Sequence, residues 1–157
     1  MNRREFITLL VGGAVAWPWP LAARAQRGER VRRIGVLMVG DETDPVRKTY
    51  VSAFTQALAD LGWTDGRNVR MDFRWGGDDI NRIRAFAQEL VGLKPDIIFT
   101  GGTPTTAAVQ RETQTIPIVF LSGTDPVASG IVPRLDRPGG NVTGFATFEA
   151  SPGRQVA

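Results

Sequence analysis

Three dipeptides carry the clearest chemistry in this sequence: Asp44-Pro45, Thr103-Pro104 and Asp125-Pro126. Each sets a residue with a side-chain oxygen directly before a proline. That is the grammar of a helix start, because the oxygen caps free backbone N–H groups and the fixed φ of proline suits the first turn. A helix amino end carries roughly half a positive charge. It is therefore a ready site for a carboxylate or another anion. The richest of the three stretches is Thr100-Gly101-Gly102-Thr103-Pro104-Thr105-Thr106. Its glycines let a ligand approach the backbone, and its hydroxyls donate or accept hydrogen bonds. No Glu or Gln stands at position 106 to close a capping box. Asp125 adds a carboxylate able to pair with a cationic group. The plainer reading makes Thr103 and Asp125 simple caps, Asp41 and Glu42 solvated loop charges, and Trp63 and Trp75 packing residues.

Other chemistry is excluded by what the chain lacks. It has no cysteine and no histidine, so thiolate sites, the commonest zinc ligand and the commonest general base are all missing. No G-x-G-x-x-G opens the first helix, no phosphate-binding G-x-x-x-x-G-K-[ST] is present, and no G-x-S-x-G elbow occurs. No catalytic residue, metal or cofactor is expected. The net charge is +3, and the only lysines are Lys48 and Lys94. Arg27, Arg30, Arg32 and Arg33 form a short basic run without stacking aromatics, so a solvated linker is expected rather than a nucleic-acid site. Asn141-Val142-Thr143 fits a glycosylation sequon but reads as a turn entering a strand.

The elements that must position these loops alternate regularly. Ile34 to Val39 is a nearly continuous apolar run, as in a strand buried on both faces. A helix is predicted from Pro45 to Leu61, with Val46, Tyr50, Phe54, Leu58 and Leu61 forming one apolar stripe. Asn68 to Trp75 alternates apolar and polar residues, which suits a strand near a sheet edge. A second helix is expected from Ile80 to Leu93, its stripe made by Ile80, Ile83, Ala87, Leu90 and Val91, with Pro95 ending it. Then follow a strand at Asp96–Thr100, a helix at Pro104–Glu112 and a strand at Ile118–Leu121. A short helix from Pro126 and a fifth strand at Val142–Phe148 complete the series. Repeated strand-helix-strand units imply an α/β fold: a three-layer, doubly wound parallel sheet, expected in the order 2-1-3-4-5. In such sheets ligands bind beyond the carboxyl ends of the strands, where the proline-marked loops fall.

The amino terminus has another logic. Arg3 and Arg4 precede an apolar stretch from Ile7 to Leu21, broken by Pro18 and Pro20 and closed by Ala23-Arg24-Ala25. That is the order of an export signal, and the paired arginines are similar to a twin-arginine signal. The run is shorter than the roughly 20 residues that span a bilayer. Residues 1–25 are read as a leader removed after Ala25, by either the twin-arginine or the general secretory route. Residues 26–32 are read as a linker, 33–148 as an α/β lobe and 149–157 as a divergent tail.

Several segments taken together resemble a known family. They include Lys94-Pro95-Asp96-Ile97-Ile98, Thr100-Gly101-Gly102-Thr103-Pro104, Ile116-Pro117-Ile118-Val119-Phe120, Thr124-Asp125-Pro126-Val127 and Arg137-Pro138-Gly139-Gly140-Asn141-Val142-Thr143-Gly144. In this order they resemble the substrate-binding proteins of ABC transporters, tryptophan/tyrosine-type group. The resemblance implies the first lobe of a type I periplasmic binding fold, a small-molecule solute held between two lobes, a permease partner in the inner membrane and a periplasmic location. Carried over by position, it implies that Gly40, Asp41, Gly102, Thr103, Pro104, Thr105, Thr124 and Asp125 face the ligand cleft. After Phe148 the resemblance ends, which implies a chain truncated after its first lobe. Two other readings share the strand-helix alternation: a flavodoxin-like or nucleotide-binding enzyme domain, and a lobe fragment that binds nothing.

Overall fold

The computed structural model describes residues 30–147. The chain divides into two units, Met1–Arg30 and Val31–Ala157, and the architecture below is that of the second. The expected leader at 1–25 and the expected tail at 149–157 lie outside the described residues.

Five strands form one sheet in the order β2-β1-β3-β4-β5, every neighbouring pair parallel. They are β1 (Arg32–Met38), β2 (Val69–Trp75), β3 (Ile97–Gly101), β4 (Ile118–Ser122) and β5 (Val142–Ala146). Three helices connect them: α1 (Pro45–Asp60), α2 (Ile80–Gly92) and α3 (Thr103–Glu112). This is the expected α/β sheet in the expected order. β1 sits between β2 and β3, and its last five residues are all buried, as its unbroken apolar run requires. The register sets Met38 beside Gly101, Gly101 beside Leu121 and Leu121 beside Phe145. The carboxyl ends of four strands therefore finish level, and their loops share one edge.

Side chains alternate across the sheet, and the two faces differ. One face carries Leu37, Ile98, Ile118 and Phe120, packed with Ile83, Ala87 and Leu90 of α2 and with Ala108 and Val109 of α3. Ile131 and Val132, from the segment after β4, close the same core. Gln110 fastens that segment by donating from Nε2 to the Ile131 carbonyl at 2.9 Å. The other face carries Ile34, Val36, Met38 and Val69, with Phe54 and Leu58 of α1 against them. Phe54 stacks on Phe99 with ring centroids 4.5 Å apart. Among the described residues α1 is the only helix on this face, and it has no fully buried residue. Val119, Leu121 and Phe145, farther along this face, line an almost wholly apolar groove of 420 Å³.

Four expectations need correction. The predicted α1 stripe is only partly used: Phe54 and Leu58 pack, while Val46, Tyr50 and Leu61 are 59%, 54% and 76% exposed. Among the described residues, the middle of the helix is what packs on the sheet. The short helix expected from Pro126 is a single turn, closed by Ser129 N donating to the Asp125 carbonyl at 3.0 Å and left at Gly130. Trp63, expected to pack, is 39% exposed. The fourth correction, at Thr103, belongs with the loops.

Charge pairing ties the far end of the sheet. Asp96 accepts from the Arg33 backbone N–H and from the Arg32 guanidinium, each at 2.9 Å. The Arg33 side chain donates to Asp72 on β2 at 2.6 Å. That hydrogen bond, helped by the charges of Arg33, Arg70 and Arg74, holds the Asp72 carboxyl below its ordinary range against the opposing pull of burial.

Candidate functional site

The loops at the carboxyl edge come from β1, β3 and β4, with the end of β5 beside them. Sheet-like bonds carry the order past the strands. Val39 N donates to the Gly101 carbonyl at 3.1 Å, Gly102 N to the Leu121 carbonyl at 2.9 Å, and Thr147 N to the Ser122 carbonyl at 2.9 Å. Gly40 and Gly77 exchange backbone hydrogen bonds at 3.0 and 3.1 Å, which pins the first loop to the loop after β2.

The first loop ends as its sequence predicts. Asp44 caps α1, its Oδ1 accepting from Val46 N at 2.9 Å and from Arg47 N at 3.4 Å, with Pro45 in the first turn. Asp41 and Glu42 are exposed.

The α3 end differs from the expectation. Thr103 is not the cap: Gly102 is, and no side chain caps this helix. Gly102 has φ +107, a conformation costly for a residue with a side chain. Thr103 therefore becomes the first helical residue, and its hydroxyl turns outward to β4. It lies 2.8 Å from Thr124 Oγ1 and 3.3 Å from Ser122 Oγ, while Ser122 Oγ lies 3.1 Å from Thr124 Oγ1. Thr105 and Thr106 point the other way. Both are fully buried and donate back to the Gly102 carbonyl at 2.7 and 2.9 Å. The glycine has no side chain to hold this turn, so two threonine hydroxyls inside the helix hold it instead.

After β4, the Asp125 carboxylate accepts from Val127 N at 2.9 Å and Ala128 N at 3.2 Å. The residue is exposed and follows Thr124 directly in the same loop. The fold thus gathers Gly102, Thr103, Thr124 and Asp125 on one side of the edge, and Gly40 and Asp41 on the α1 side. Pro104 is exposed at the edge, and Thr105 lies beneath it. Sequence reasoning missed Ser122, the last residue of β4, whose hydroxyl joins the Thr103–Thr124 pair. Its signal was a polar residue closing an apolar strand.

This edge offers hydroxyls, exposed carboxylates at Asp41, Glu42 and Asp125, backbone N–H groups at a helix start without a side-chain cap, and glycines. It suits the holding of a small polar solute. Among the described residues, no group of three or more Asp and Glu side chains is placed to hold a metal ion. No helix among them is long and apolar enough to cross a membrane.

Comparisons with known proteins agree with this geometry. The family model described as "ABC transporter substrate binding protein" matches residues 34–154. A tyrosine-binding protein of Clostridioides difficile is 38% identical over 95 residues, which is 60% of this chain and 28% of that protein. A substrate binding protein with adhesive properties from Clostridium difficile, solved in its ligand-free, open form, superposes with a TM-score of 0.71 at 33% identity, covering 76% of this chain and 40% of that one. An ABC domain from Streptococcus pneumonia, solved in complex with L-Trp, gives 0.68 at 28% identity, covering 73% and 38%. The chain thus spans between about a quarter and two fifths of the length of these relatives.

Proposed function

Because the chain belongs to the ABC transporter substrate binding proteins, whose family model matches residues 34–154, we propose that it captures a small solute for an ABC importer and does no chemistry on it. The observation that carries this reading is the coincidence of that match with a carboxyl edge built of capped loops and outward hydroxyls. An amino acid is the favoured solute class. One relative is named a tyrosine-binding protein, and another was solved with L-Trp.

In this reading the contact set is Gly40, Asp41, Gly102, Thr103, Pro104, Thr124 and Asp125; Thr105, also expected to face the ligand, is fully buried and leaves the set. Thr103 and Thr124 give hydroxyls. Asp125 gives a partner for an ammonium group. Gly102 lets the solute approach the backbone. Thr105 acts from below, by holding the Gly102 turn. A permease in the inner membrane is the proposed recipient. Residues 1–25 are the proposed export leader, so that the working protein begins at Gln26 in the periplasm.

Calorimetric titration against the common amino acids tests the reading. A cleft binder buries most of its ligand between walls, and these loops form one wall, so the expected binding is weak and confined to a few solutes. A flat response to the whole series, in a chain shown to be folded by its melting curve, would remove the proposal.

A further inference from the structure

One cation stands at this edge outside the contact set. Arg47 lies in the first turn of α1, and its guanidinium lies against Gly40. A side-chain carbon on Gly40 would collide with Arg47 Nε. Gly40 also has φ +77, so the same glycine makes the turn and leaves the path for the arginine. The Arg47 side chain is 31% exposed. Its Nε is buried and makes no hydrogen bond, although Asp44 Oδ2 stands 3.2 Å away. Asp44 is the only charged partner of the guanidinium among the described residues, and its other oxygen already caps α1. A planar fork with five donors thus lines the edge with a single charged partner among the described residues.

What it faces is a cavity of 370 Å³ at the carboxyl ends of the strands. Gly101 and Gly102 form its floor, Thr147 stands at its β5 side, and Met38, Tyr50 and Leu121 supply apolar wall. A buried donor without a partner is uncommon in folded proteins. A guanidinium beside apolar walls binds a carboxylate more strongly than it would in open water, because screening is weaker there. The fork also matches the two oxygens of a carboxylate, which a lysine does not.

We propose that Arg47 receives a carboxylate of the solute in this cavity, with Met38, Tyr50 and Leu121 against the solute's apolar body. The inference rests on the reading of this edge as a solute-binding wall and adds the anchoring residue and the substrate class, small apolar carboxylates. Asp44 holds the guanidinium in position and competes with the solute for it.

The test uses the full 157-residue chain, isotopically labelled, with three probes: L-phenylalanine, 3-phenylpropionate and phenethylamine. The first two carry a carboxylate and the third does not. The two carboxylates are expected to shift the Arg47 Nε–H and Gly102 amide resonances. Arg47→Gln should raise their Kd about tenfold or more, the loss expected for a charged hydrogen bond, and Arg47→Lys should restore only part. Phenethylamine should respond alike in wild type and variants. Asp44→Asn keeps a capping side chain but removes the competing charge, so it should tighten carboxylate binding; this arm holds even if Arg47→Gln folds poorly. Equal carboxylate affinity in wild type and a folded Arg47→Gln overturns the inference while the solute-binding reading stands. Carboxylates that leave Arg47 unmoved overturn it too. Arg47-dependent carboxylate binding in a chain that ignores every amino acid would support the inference and count against the solute reading.

Discussion

Asp72 shows how much one residue can do away from the site. Its carboxylate is only 12% exposed and takes the Arg33 guanidinium at 2.6 Å. The pair holds its folded pKa below the ordinary value. A carboxyl depressed in the folded state stabilises fully above its unfolded pKa, and the stabilisation is lost as pH falls through the folded one. Asp72→Asn is therefore expected to lower stability at neutral pH by about 1.5–3 kcal/mol. It should also flatten the dependence of stability on pH below about 4. Denaturant melts of both proteins across that range check this, and parallel pH profiles would refute it. At the site, Thr103→Ala and Asp125→Ala are each expected to weaken solute binding in a two-lobed protein carrying these loops, by a similar 1.5–3 kcal/mol where a charged hydrogen bond is lost. If both variants bind like wild type, these side chains serve the loops alone. Thr103 also marks where residue-level reading fell short. A threonine before proline has the chemistry of a cap, and only the left-handed Gly102 moves the cap back one position and frees the hydroxyl.

At the level of elements, α1 and α2 each carry an apolar stripe, weaker in α1, and stand in opposite situations. Ile83, Ala87 and Leu90 of α2 are buried because the sheet lies on one side and α3 on the other. α1 meets the sheet alone. Leu90→Ala is expected to cost about 2–5 kcal/mol, as for a leucine removed from a closed core. Leu61→Ala, at a residue 76% exposed, should stay within about 0.5 kcal/mol. Chemical denaturation of the two variants measures both, and comparable losses would mean that the α1 end is covered in solution. Helix periodicity located the buried Ile83, Ala87 and Leu90 of α2, but of the α1 stripe only Phe54 and Leu58 pack. It could not say how much of each is used, because a stripe records which residues are apolar and says nothing of what faces them.

At the scale of the whole sheet, the described residues leave one face closed and one half open. α2, α3 and the Ile131–Val132 segment cover the first. On the second, Val119, Leu121 and Phe145 line the apolar groove beside α1, and Phe145 is 70% exposed. An apolar patch of this kind on a separate chain favours association. The 157-residue chain alone is expected to enhance the fluorescence of anilinonaphthalene sulfonate and to sediment as more than a monomer. Phe145→Ser should reduce both effects. A monomer that leaves the dye dark would show that the groove closes by itself. The proposed export has its own check: amino-terminal sequencing of periplasmic protein should begin at Gln26, and an intact Met1 in the cytoplasm would contradict it.

The strand-helix alternation, the parallel order and the edge on which the loops gather were all legible in the residues. Buried parallel strands leave unbroken apolar runs, and right-handed crossovers allow few arrangements. Asp44 and Asp125 were legible as capping residues because capping is local, settled within three residues by hydrogen bonds to nearby N–H groups. The rest depended on contacts between distant parts of the chain. Ser122 meets Thr103 and Thr124 only because β3 and β4 end level. Arg47 comes to line the same cavity as Gly102, far away in sequence, only because Gly40 leaves room for its guanidinium. The open groove exists because nothing among the described residues reaches the β4–β5 side of that face. Local chemistry fixes what each residue is able to do, and the packing of remote segments decides which residues stand near enough to do it together.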